Sequence, residues 1–216
     1  MSVDATKTYP ALFGDGKGHY KVHIVGNSGD FHPRTTLGEE LAKILGVPHL
    51  PLDTLQWEPN WTPSPRDKFR TRFQEFLDQN PNGWVIDGNY YSVLRDFMEK
   101  HQTDVIWLDP PFWLYFPRLL FRTFRRLLGL EPSCSPGCDE DWREAFFSKE
   151  SIILWCITQH SVVQKREKAN MRDLGIESGG IMRRFGGWGY AREMADWKRE
   201  IEVLIRRGEL GGEVGM

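Results

Sequence analysis

The sequence predicts an α/β fold: a doubly wound, three-layer sandwich with about five parallel strands and a helical lid. Three observations carry that expectation. Short apolar runs alternate with amphipathic helical patterns along the whole chain. The run TDVIWLD is apolar without alternation, as in a strand covered on both faces of a parallel sheet. Residues 23–45, HIVGNSGDFHPRTTLGEELAKIL, read as strand, glycine turn and helix, the layout that grips a phosphate chain.

The elements follow in order. Residues 1–19 hold Gly14, Gly16 and Gly18 with little apolar periodicity and are expected as a loose lead-in to a single domain over 20–209. A buried strand, KVHIVG, leads to a helix with Leu37, Leu41, Ile44 and Leu45 on one face, ended by Gly46. VPHLPLD reads as a second strand, followed by the loop QWEPNWTPSPR and a helix with Phe69, Phe73, Phe76 and Leu77 on one side. WVIDG and TDVIWLD are the third and fourth strands, the latter stopped by Pro110 and Pro111. A long helix over 112–128, a turn-rich insert EPSCSPGCDED and a helix over 149–174 follow, and a lid spans about 118–166. GIMRRF gives a last strand before a helix with Met194, Trp197, Ile201, Leu204 and Ile205 on its apolar side, and 210–216 is a tail.

Composition narrows the function classes. A formal net charge of -2 gives no general attraction to nucleic acid, which is not expected as a partner. Three cysteines, Cys134, Cys138 and Cys156, make no complete disulfide framework, and the first ten residues lack a signal-peptide core, so a reducing, cytoplasmic location is expected. No run reaches the roughly 20 apolar residues of a membrane helix, and no membrane partner is expected.

The glycine turn departs from the standard phosphate loop GxxxxGK[ST]. Gly26, Asn27, Ser28 and Gly29 begin it correctly, and Thr35 and Thr36 lead into the helix, but DFHPR stands where a Gly-Lys step belongs, two residues longer. With Thr35 as the hydroxyl, Arg34 takes the lysine position, and its helix amino terminus would attract an anion. Pro33 removes one amide donor, and Asp30 opposes phosphate unless His32 or Arg34 offsets it.

In HIVGNSG, PHLPLDTLQWEPNWTPSPRDKF, WVIDGNYYSVLRD, DVIWLDPP, RLLFRTFRRLL and WREAFFSKESIILW the chain resembles the P-loop kinases of the adenylate-kinase-like group. The likeness runs over about 21–207 and is nearest to the FlaR-related branch labelled DNA topology modulation, here with a degenerate Walker A loop. The resemblance implies ATP-dependent phosphoryl transfer to a small molecule or nucleotide, with Mg2+ and a lid. A pseudo-kinase that only binds a nucleotide or anion, and a protein-interaction module, are the alternatives.

By that resemblance, Gly26 to Gly29 with Arg34, Thr35 and Thr36 would hold ATP, and Thr35 with Asp87 would hold magnesium. Asp53 would face the acceptor as binder or base. Asp53, Asp87 and Asp109 each close an apolar strand, which points them to one rim of the sheet, although such residues also cap turns. Arg118, Arg122, Arg125 and Arg126 share a helix face; Arg122 and Arg126 lead as a phosphate clamp, against a solvated face, with Phe121 and Phe124 read as core. Arg95 and Arg166 match the family's acceptor and lid-return positions. Trp57 and Trp61 stack on a base or anchor their loop; Cys134 with Cys138 makes only half of a structural zinc site, with no second pair, so zinc is not expected without a distant histidine.

Overall fold

The structure, a computed structural model, describes residues 10–26, 31–130, 137–138 and 152–210, with only the backbone at 31–33 and 152. Five parallel strands form one sheet: β1 (Tyr20–Gly26), β2 (His49–Pro51), β5 (Gly83–Asp87), β6 (Asp104–Asp109) and β7 (Met182–Gly186). Their order is β2-β5-β1-β6-β7, so β1 lies at the centre. Two further strands, β3 (Trp57–Glu58) and β4 (Thr62–Pro63), make a separate antiparallel hairpin within the loop expected after the second strand.

Helices cover both faces, as expected. The alternation of side chains along β1 sends Val22 and Ile24 to one side, where α1 (Phe31–Leu45) and the last helix, α7 (Tyr190–Arg207), bury Leu37, Leu41, Tyr190, Trp197 and Ile201. On the other side Trp84 and Ile86 meet α3 (Arg66–Gln79) and α4 (Tyr91–His101) through Phe69, Phe73, Leu94 and Met98. Val25 and Trp107 on that same side meet α6 (Ile152–Leu174) through Met171 and Leu174. The helices that follow the neighbouring strands β1 and β5 therefore lie on opposite faces. That divergence opens a crevice at the carboxyl ends of the two strands, where ligands of such sheets collect.

Four expectations are corrected. First, residues 10–19 are not loose: Leu12 is in the core, and the amides of Phe13 and Gly14 donate to Asp104 at 2.9 and 3.0 Å. Second, α1 starts at Phe31 rather than Thr35. Pro33 is compatible with a first turn, whose amides have no intrahelical acceptor. Third, the second strand is only His49–Pro51, and Asp53 instead opens the short helix α2 (Asp53–Gln56).

Fourth, α5 (Phe112–Leu127) turns Phe121 and Phe124 outward, while Phe112 and Phe116 pack inward. Phe121 is 65% and Trp113 75% exposed, whereas Tyr115, Leu119, Thr123 and, at 7%, Arg122 are buried. Amphipathic spacing alone did not say which stripe meets the protein. The inner stripe packs through Tyr115 and Leu119 on Cys156 of α6. Of the lid, residues 131–136 and 139–151 lie outside the described residues, as does the start of the helix expected from 149.

Candidate functional site

The carboxyl ends of β1 and β5 are stitched together by the DGN turn after β5. Gly88 donates its amide to Ile24 at 3.1 Å, and Asn89 Oδ1 accepts the Gly26 amide at 3.1 Å while its amide group donates back to the Gly26 carbonyl. His23 Nε2 donates to the Gly88 carbonyl at 2.9 Å. Gly26 is required by close packing: a Cβ there would meet the Leu108 carbonyl oxygen at 2.7 Å. Gly88 combines a φ of +146° with Leu52 pressed against the space a Cβ would fill, 2.8 Å away.

From the fourth residue of α1, Arg34 reaches back into this crevice. It is 2% exposed. Its Nε donates to Asp87 Oδ1 at 2.8 Å, and its Nη2 lies 3.4 Å from Asp53 Oδ2. The second Asp87 oxygen accepts from His49 Nε2 at 2.8 Å, and the second Asp53 oxygen from the Tyr90 hydroxyl at 2.6 Å. Burial alone would raise the Asp87 carboxyl, but Arg34 and His49 beside it hold it below the usual carboxylate range. Burial likewise works against the Arg34 charge, and Asp87 and Asp53 outweigh it, so the guanidinium is held more firmly charged than usual.

Two of the three aspartates expected at one rim thus converge on Arg34. Asp109 has another partner. It accepts from Arg184 Nε at 2.9 Å and from Gln164 at 3.3 Å on the opposite side of the sheet. Arg95 and Arg166, expected as separate cations, come together with their guanidinium groups 5.4 and 5.5 Å from the centre of the Tyr91 ring. Both are tied to carboxylates, Arg95 to Glu99 and Arg166 to Glu167, each at 2.7 Å. Arg122 lies buried in α5, and Arg126 is half-buried a turn later. Trp57 and Trp61 meet edge to face at 5.5 Å within the β3–β4 hairpin, where Asn60 and Trp61 take φ of 61° and 55°. The insert reaches this hairpin: the Asn60 amide donates to Gly137 O at 2.9 Å, and the Cys138 thiol donates to Glu58 O at 3.2 Å.

Asn27, Ser28 and Gly29 lie outside the described residues, as does Cys134. Thr35 is half-buried and Thr36 exposed on α1. The residues expected to hold magnesium do not fit it here. The Asp87 side chain is 1% exposed and held through both oxygens by Arg34 and His49, whereas Mg2+ needs a near-octahedral oxygen shell with several waters.

Several polar residues escaped the sequence reading. Asn89 and Tyr90 follow the strand-end Asp87, which was the available signal, whereas His49 opens β2 and had none of its own. Asp104 and Arg183, whose Nη2 donates to Asp104 Oδ1 at 2.6 Å with both side chains fully buried, left none, because β6 and β7 pair only in space.

No family model matches the chain, and no curated protein matches it. Among solved structures it is similar to shikimate kinase from Bacteroides thetaiotaomicron, with 16% sequence identity, a TM-score of 0.45, and coverage of 87% of this chain and 98% of that one. It is similar also to a "putative kinase" from Chloroflexus aurantiacus J-10-fl, with 15% identity, a TM-score of 0.45, and coverage of 88% and 98%. No helix among the described residues is long and apolar enough to cross a membrane.

Proposed function

We propose that this chain binds the phosphates of a nucleotide, ATP by its P-loop kinase resemblance, at the turn from β1 into α1, and that it acts as a binder rather than as a fast phosphotransferase. One observation carries the reading: Arg34, Asp53 and Asp87 converge in the crevice where the connections of β1 and β5 diverge. The Gly26–Asn89 clamp supports it by fixing the strand end from which a phosphate loop departs. Slow or absent transfer follows from the same geometry. Phosphoryl transfer needs cations aimed at the migrating group, and Arg34 is already engaged by two carboxylates.

Thermal melting of the full chain with millimolar ATP, ADP or pyrophosphate tests the reading. A rise in melting temperature with the polyphosphates but not with adenosine is the expected result. No rise with any of them ends the nucleotide reading and leaves the interaction module.

A second reading, ATP-dependent transfer to a small alcohol or nucleoside monophosphate, is favoured by the pairing of Arg95 and Arg166 over Tyr91. In it these two would hold an anionic acceptor, Asp53 would orient the acceptor hydroxyl, and Arg122 and Arg126 would meet the transferred group. Release of ADP with a panel of such acceptors separates the two readings.

A further inference from the structure

Strand-end carboxylates in phosphate-handling sheets ordinarily share their charge with a divalent cation. Here all four oxygens of Asp53 and Asp87 accept from protein groups: Arg34 twice, His49 once and Tyr90 once. The Arg34 and Asp87 side chains are 3% and 1% exposed and that of Asp53 15%, which leaves little room around Asp87 for the waters that a magnesium ion keeps.

We propose that Arg34 is the resident cation of this carboxylate pair, so that the Asp53–Asp87 site takes a guanidinium in place of a divalent metal.

The chemistry of arginine favours this arrangement over the lysine usual at that position. A lysine contact is compact and can lose its proton in a buried site, whereas a guanidinium stays charged and spreads its donors over two acceptors. A metal could enter only if Arg34 left. The departing guanidinium would then need a new anionic partner, since breaking a buried pair leaves an uncompensated charge.

The test uses manganese chloride as the probe, read by electron paramagnetic resonance and calorimetry on the full chain without nucleotide. The wild type is expected to show no saturable site. Arg34→Gln should gain one, at least about tenfold tighter than any residual wild-type binding, and Arg34→Gln/Asp87→Asn should lose it again. Arg34→Lys, which keeps the charge and so protects the fold, should show a weaker gain.

A wild-type manganese site that Asp87→Asn removes would overturn the proposal. So would folded Arg34→Gln and Arg34→Lys proteins that bind no more manganese than the wild type.

Discussion

Arg34 donates through Nε to Asp87 at 2.8 Å, joining the start of α1 to the end of β5 inside a site that excludes solvent. The two residues are 53 apart in sequence. Their pairing fixes the approach of α1 to the sheet.

Removing one partner of this pair should cost more than removing both. Arg34→Met strands the Asp87 carboxylate and is expected to lower stability by about 3–5 kcal/mol, whereas Arg34→Met/Asp87→Asn should recover a large part of that loss. Urea unfolding followed by tryptophan fluorescence measures both. A double variant no more stable than the single one would show that the pair is not the source of the cost.

The buried pair Asp104–Arg183 ties the amino-terminal segment to the sheet. Asp104 also accepts the amides of Phe13 and Gly14, and Arg183 donates to the Pro10 carbonyl at 2.8 Å. Burial pushes the Arg183 guanidinium down to about 10, with Asp104 opposing, so the charge pair is under desolvation strain. Asp104→Asn should cost about 3–5 kcal/mol. It should also speed hydrogen exchange at Phe13 and Gly14 before β6 responds.

His23 makes stability depend on pH near neutrality. Burial pushes its imidazole below the ordinary 6.5, and Arg34 adds to this, while Gly88, Glu167 and Gln102 oppose. Below about pH 6.5 the unfolded chain takes up a proton that the native one refuses, so this contribution is present above that pH and is lost as pH falls towards the native value. The melting temperature should drop between pH 7.5 and 5.5, and His23→Gln should flatten the drop. Equal slopes for the two proteins would remove His23 as the cause.

The exposed face of α5 is checked by a contrast of neighbours. Leu119→Ala, in the packed stripe, should cost about 2–5 kcal/mol, and Phe121→Ser, on the outer stripe, no more than about 0.5. A costly Phe121→Ser would mean that another part of the chain covers that stripe.

The sequence by itself determined the sheet, its helices and the crevice. Apolar runs such as WVIDG and TDVIWLD have to be buried, and the 3.6-residue spacing of Leu37, Leu41 and Ile44 can be satisfied only against such a layer. It also singled out Asp53, Asp87 and Arg34, because polar residues at the end of a buried strand or the start of a helix stand out against their surroundings. Only the tertiary structure decided how they are used. Whether Arg34 faces a ligand or Asp87, whether Asp109 joins that group or pairs with Arg184, and whether Phe121 or Arg122 is buried each depend on which distant element lies opposite. A one-dimensional pattern carries the periodicity of an element but not the charge of the neighbour it meets after folding.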